Sequence, residues 1–240
     1  MVSESRRRIE VAACGLLARH GYHGFGLKAL SEAAELPYGS IYHHFPGGKE
    51  EIAVAAITGT GVLTGRMIRQ APNDVFATMA TLFEYMVAKL ADSDWTDGCP
   101  IGTPALDGGS DVEAVRSACV TAFDTMEQAF AALLVELGLG EEEAASLATT
   151  VVAAYEGATI LARLRQSDAP LRTMAVSMER LIRSAFASVG AGGVGAGAAA
   201  GREAAAGTEP DVAGPEVADA SAGNIPERPV EQGDRKRTID

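Results

Sequence analysis

The chain has 240 residues, with 20 Lys and Arg against 32 Asp and Glu, and its formal net charge is −12 with histidine neutral. That balance excludes coating nucleic acid through bulk charge, as a histone does, and leaves only a local patch able to meet phosphate. Residues 1–50 carry +1, residues 51–189 carry −9 and residues 190–240 carry −4, so such a patch belongs in the amino-terminal segment.

From Ser3 to about Ser188 apolar residues recur at helical spacing and no stretch alternates strictly, which predicts an all-α fold of about nine helices. The first helix starts near Ser3, which is placed to cap it, and runs on Ile9, Ala12, Ala13, Leu16 and Leu17 to a stop at Gly21. A second, short helix spans Leu27 to Ala34. Pro37 suits the first turn of a third, through about His44, because its missing N–H would be unpaired there anyway. Phe45-Pro46-Gly47-Gly48 is a break.

Longer helices are predicted at about 49–69, 73–91, 111–137, 141–166 and 169–187. The acidic run Glu141-Glu142-Glu143 favours the positive end of its helix. Residues 92–109 read as an irregular loop with at most one short helix; the segment is long and holds the single Trp, which makes it a functional-loop candidate. After Val189 come ten Gly, twelve Ala and no aromatic residue, too little apolar area to offset ordering entropy, so residues 190–240 are expected to be a disordered tail.

Cys14, Cys99 and Cys119 are odd in number and lack metal-ligand spacing, which fits a reducing cytosol and predicts neither metal nor cofactor. The opening residues lack the apolar core of a secretory signal. The longest nearly uncharged stretch, Ser146 to Ala162, contains Glu156 and falls short of the roughly 20 residues that cross a bilayer. A cytoplasmic protein with no membrane association is therefore expected, and no catalytic constellation points to an enzyme.

Three short helices in fifty residues, the last two joined by a tight turn, fit a helix-turn-helix. On the third helix Ile41 and Phe45 face inward with Leu30 and Leu36. Tyr38, Gly39, Ser40, Tyr42, His43 and His44 are left outside, as groups able to donate to phosphate or read a groove. The run Ala34-Glu35-Leu36-Pro37-Tyr38-Gly39-Ser40-Ile41-Tyr42-His43-His44-Phe45, closed by Lys49-Glu50-Glu51, resembles the TetR family of bacterial transcriptional regulators. That resemblance implies contact with double-stranded operator DNA from Gly26, Lys28, Tyr38, Gly39, Ser40, Tyr42, His43, His44 and Lys49. Tyr38 and Ser40 would reach base edges, Tyr42, His44 and Lys49 phosphates. Gly39 either admits close backbone approach or is merely small, and His43 either contacts DNA or packs. Glu35 stands where the family usually has Gly, and Gly26 where it commonly has a hydroxyl residue.

The expanded Phe45-Pro46-Gly47-Gly48-Lys49, followed by Gly98-Cys99-Pro100-Ile101-Gly102-Thr103-Pro104, is similar to the LmrA/YxaF-like branch, some of whose members respond to lipophilic aromatics. The resemblance implies a domain over residues 51–189 that binds a small-molecule effector and forms a homodimer through about residues 141–187. From the residues themselves, Phe76, Met79, Phe83 and Met86 make one apolar stripe and Phe123, Met126 and Phe130 another. Both are either plain core or an adaptable apolar site. Trp95, Cys99, Ile101 and Thr103 would border such a site from the loop. Cys99 is either a redox-sensing thiol or a small packed residue, and Glu156 either binds ligand, pairs with Arg163 or Arg165 across a dimer, or lies exposed. The leading expectation is a ligand-responsive repressor. The alternatives are a helical interaction module, a thiol-based redox-sensing regulator using Cys99, or an enzyme joining Cys99 to a histidine.

Overall fold

The structure is a computed structural model describing residues 3–70 and 74–195, with side chains described to Ser188. Nine helices and no strand occur among the described residues: α1 (Glu4–Gly24), α2 (Leu27–Ala34), α3 (Tyr38–His44), α4 (Gly48–Gln70), α5 (Val75–Asp92), α6 (Gly102–Leu106), α7 (Glu113–Glu136), α8 (Glu141–Arg165) and α9 (Ala169–Gly195). A 3-10 turn at Gly109–Asp111 precedes α7. The expected cap at Ser3 is present, its hydroxyl accepting from Arg6 N–H, and the Asp74 carboxylate caps α5 by accepting from Phe76 and Ala77 N–H.

Local punctuation decides the boundaries. Gly21 has φ +68 and ψ −170, a conformation essentially reserved for glycine; it breaks α1 where a stop was predicted, although one further turn continues to Gly24. Glu35 closes α2 in the left-handed region at φ 51, ψ 44, so the absent glycine there costs about 1 kcal/mol. Its carboxylate takes Arg8 at 2.9 Å, an exposed pair that returns little of that cost.

Four expectations change. Pro37 is the residue before α3 rather than inside its first turn, because its ψ of 155 keeps it extended. Gly48, not Lys49, opens α4. The final helix runs on to Gly195, past the expected end near Ala187, since an Ala/Gly stretch can continue a helix once packing has started it. The expected tail otherwise lies outside the described residues. Finally, α4, α7 and α8 are each long and apolar enough to span a bilayer, which the search for a nearly uncharged stretch missed. All three instead serve as walls of a bundle, α4 against α7 and α7 against α8.

Two apolar cores result. One joins Ile68 and α5 to the second half of α7, α8 and α9, with Leu90, Leu134, Leu171 and Ile182 fully buried. The other is held in common by the first three helices and the helices after them: Ile9, Leu17, Leu30, Ile41 and Phe45 share a core with Ile52 and Ile57 of α4, with Ile101 just before α6, and with Val115 and Met126 of α7. Helices α4 and α7 approach closely at Gly61, where an added Cβ would meet the Cα of Ala122 at 2.7 Å. The amino-terminal helices therefore have no core separate from the rest of the bundle.

Candidate functional site

Two places on this scaffold carry unusual surfaces. The first is α3. Ile41 and Phe45 are fully buried with Leu30, Leu36 is half-buried, and the opposite face leaves Tyr38 at 45% and Tyr42 at 49% exposure. Gly39 and His43 are also exposed, while Ser40 and His44 are half-buried. Two half-exposed tyrosines on a seven-residue helix leave aromatic and hydroxyl surface accessible to a partner.

Arg6 secures this face: its Nη1 donates to the His44 carbonyl at 2.9 Å, its guanidinium lies 4.2 Å from the Phe45 ring centroid, and its Nε meets Glu10 at 3.0 Å. With Arg8 given to Glu35, Arg7 is the exposed member of the arginine run that makes no ion pair among the described residues. Lys28 is exposed on the first turn of α2, and Gly26 before it supplies no side-chain cap. Lys49 differs from expectation. Its ammonium turns back over the Tyr22 and Phe25 rings, at 4.8 and 5.0 Å, and reaches the His23 carbonyl at 3.5 Å; desolvation there lowers its pKa. In this pose it closes the α1–α4 junction rather than standing free at a helix end.

The second place is a cavity of about 300 Å³ on the seam between the two cores. Met79, Phe83 and Met86 of α5 line it from one core, and Met126 of α7 with Cys99 and Ile101 of the loop line it from the other. Phe130 and Val151 complete the interior. Sequence reasoning missed the remaining wall: Val11, Cys14, Gly15 and Ala18 of α1, and Thr60, Leu63, Thr64 and Met67 of α4. These residues are apolar or small, but α1 reads in the sequence only as a helix of the helix-turn-helix domain, on its Ile9, Ala12, Ala13, Leu16 and Leu17 face. Tyr85, Lys89 and Tyr155 were missed as well.

Five residues expected at the cavity lie elsewhere. Phe76 sits under the Arg183 guanidinium, 4.1 Å from its ring centroid. Trp95 follows Asp94 through two left-handed residues, a reversal that lays the indole on the core of α5, α7, α8 and α9. Phe123 packs on the core held in common with the amino-terminal helices. The Thr103 hydroxyl donates to the Ala18 carbonyl at 3.2 Å. Glu156 lies behind the cavity wall, close against Gly102 and Cys99, so it is neither exposed nor in the lining.

The loop before α7 ties the end of α1 to the body. Gly98 N–H also donates to the Ala18 carbonyl at 2.9 Å, Arg19 meets Asp97 at 2.8 Å, and the two carboxylate oxygens of Asp107 accept from His23 N–H and Gly109 N–H at 2.9 and 3.0 Å. His23 thus folds back onto Asp107 and Gly108, not onto a thiol. Burial pushes the Cys99 thiol well above its usual pKa, with Glu156 adding to the rise, so the reactive thiolate is suppressed.

Glu156 Oε1 is buried without a hydrogen-bond partner among the described residues, and desolvation raises the carboxyl's pKa while the Cys99 hydrogen bond lowers it. A carboxyl raised on folding binds more protons in the native state, so its destabilising effect is absent below the unfolded pKa and develops as pH rises through the folded one. Glu156→Gln is accordingly expected to gain on the order of 1 kcal/mol over the wild type at pH 8, because the neutral amide removes the buried charge that desolvation penalises. At about pH 3.5, below the carboxyl's unperturbed value of 4.5, the difference should disappear. Denaturant titrations at both pH values check it; a gain independent of pH would assign the effect to packing.

Residues 9–56 match the family model described as bacterial regulatory proteins, tetR family, and residues 75–177 match that described as transcriptional regulator LmrA/YxaF-like, C-terminal domain. The chain is 31% identical over 183 residues to the uncharacterised HTH-type transcriptional regulator YxaF of Bacillus subtilis, covering 75% of this chain and 96% of that protein. It is 28% identical over 171 residues to the HTH-type transcriptional regulator LmrA of the same species, covering 70% and 91%. Of solved structures, regulatory protein TetR from Rhodobacter sphaeroides superposes with a TM-score of 0.65 at 24% identity, over 74% of this chain and 98% of that one. A TetR transcriptional regulator from Legionella pneumophila gives 0.66 at 22% identity, over 75% and 98%. These last two likenesses are of fold.

Proposed function

The chain belongs to the TetR family of bacterial transcriptional regulators, in its LmrA/YxaF-like branch, and from that premise we propose that it is a repressor released from a palindromic operator by a small lipophilic or aromatic effector. Residues 1–50 read DNA and residues 51–189 hold the effector and the dimer contact. It acts in the cytoplasm, on DNA, and catalyses nothing. Ile160, Leu161 and Leu164 on α8 and Val176 and Leu181 on α9 are exposed, Leu164 at 75%, which supports a homodimer through residues 141–187. Twofold symmetry then sets the two α3 helices about 34–36 Å apart, one turn of DNA or a multiple of it.

Within each reading head, Tyr38 and Ser40 reach base edges and Gly39 admits the groove wall. Tyr42, His43, His44 and Lys28 meet phosphate, Gly26 leaving its amides open beside them. Arg7 joins this set as an exposed, unpaired cation. Lys49 has to leave its two rings to take part, so it contributes least in the pose described.

The observation that carries the regulatory half is that one cavity is walled by α1 of the reading head, by α4, which leads from the head into the body, and by α5, α7 and α8 of the body. An effector there touches the reading head directly, and α4, which begins beside α3, is the element whose tilt it biases. Occupancy shifts DNA binding only insofar as the released arrangement binds the effector better than the operator-bound one. The test is fluorescence anisotropy of the effector-free dimer on a duplex from the gene's own promoter region. Binding is expected, with log K falling linearly as log salt rises. No binding, or affinity indifferent to salt, would overturn the reading.

A further inference from the structure

The cavity's interior and its mouth differ in chemistry. Inside, Met79, Phe83, Met86, Met126 and Phe130 are buried and offer no charge. At the mouth, Val11 of α1 is 63% exposed and Leu63 of α4 58% exposed, facing the exposed Tyr85 and Lys89 of α5. Two side chains of the lining are charged. Asp97 is already taken by Arg19 at 2.8 Å, whereas Lys89 makes no ion pair among the described residues. The nearby Glu10 is occupied too, by Arg6 at 3.0 Å.

These facts constrain the occupant. An apolar interior rejects a charged group, so any charge on the ligand must stay at the mouth. The uncommitted charge there is a cation, on a flexible stem that can follow a head group. We propose that the effector is an amphipathic organic acid whose apolar body fills the seam between the cores and whose anionic head is held at the mouth by Lys89 Nζ, against Val11 of the reading head. The proposal rests on the effector reading above and narrows it: a neutral lipophile would satisfy that reading and not this one.

A matched set of probes separates the two. Decanoate, decanol and decylamine share one chain and differ in head charge, and each is titrated calorimetrically into the full-length dimer at pH 7. Decanoate is expected to bind about tenfold or more tightly than decanol, the scale of one hydrogen bond to a charged group. Its affinity should also weaken with added salt. Lys89→Met keeps the apolar stem and removes the charge; it should bring decanoate down to the level of decanol and leave decanol unchanged. If decanol matches decanoate, if decylamine binds tightest, or if Lys89→Met leaves the preference for the acid intact, the anionic head is refuted while a cavity effector survives. If none of the three binds, the cavity as an effector site falls with it.

Discussion

Replacing Gly21 by alanine is expected to destabilise the fold by about 3 kcal/mol, from two sources that the structure separates. Backbone at φ +68, ψ −170 is costly for any residue with a Cβ, and the new methyl points into the Asp107 carboxyl. That carboxyl holds both His23 N–H and Gly109 N–H, so displacing it leaves the Gly109 donor, on a buried residue, and the more exposed His23 donor without their partner. Urea denaturation of the purified protein measures the loss. The double variant Gly21→Ala/Asp107→Ala should not recover stability, because it relieves the collision while retaining the backbone cost and both orphaned donors. Full recovery would mean that the steric clash is the whole effect and that the Asp107 bonds contribute nothing.

This joint matters beyond stability. Beside the apolar core shared with α4, α7 and α8, the end of α1 meets the loop from Asp97 to Gly109 and Arg163 of α8 through polar contacts that involve Ala18, Arg19 or His23 on one side. An effector in the cavity lies against Ala18 and Gly98 themselves.

The distinction between legible and illegible features follows from what each depends on. Gly21, Glu35 and the bounds of α2 are fixed by backbone conformation within a few residues, and the α3 surface follows from a period of one short helix. Those were readable. The cavity was half readable: Met79, Phe83, Met86, Met126 and Phe130 announce apolar faces, but periodicity does not say which helix each face meets. Phe76 lies on the same stripe as Met79 and Phe83 and differs only in being near Arg183, more than a hundred positions away. Lys49 likewise reads as a free cation until the fold brings Tyr22 and Phe25 beneath it. Trp95 looked like a cavity border because the loop's two left-handed residues carry no glycine to mark them.

Gly15 supplies the sharpest test of where the effector lies. It is a mid-helix glycine of α1 in the cavity wall, and an added Cβ meets nothing within 4 Å. Gly15→Ala should stabilise the protein by about 1 kcal/mol through helix propensity alone and leave the cavity open. Gly15→Leu gains a similar propensity term and also buries its side chain against Met and Phe, for a total gain on the order of 2 kcal/mol. That leucine occupies the seam. Binding of 1-anilinonaphthalene-8-sulfonate, an aromatic body with one anionic sulfonate, followed by fluorescence, should weaken at least about tenfold in Gly15→Leu, a loss of about 1.4 kcal/mol, and stay near wild type in Gly15→Ala. Operator affinity of the dye-free protein should survive in both, so under the proposed function the leucine variant would hold DNA and ignore effector. A variant that is more stable and has lost its response separates occupancy of this cavity from general loosening of the fold, since loosening would lower stability and response together. Unchanged dye binding in Gly15→Leu would place the site away from α1 and sever the direct contact between effector and reading head.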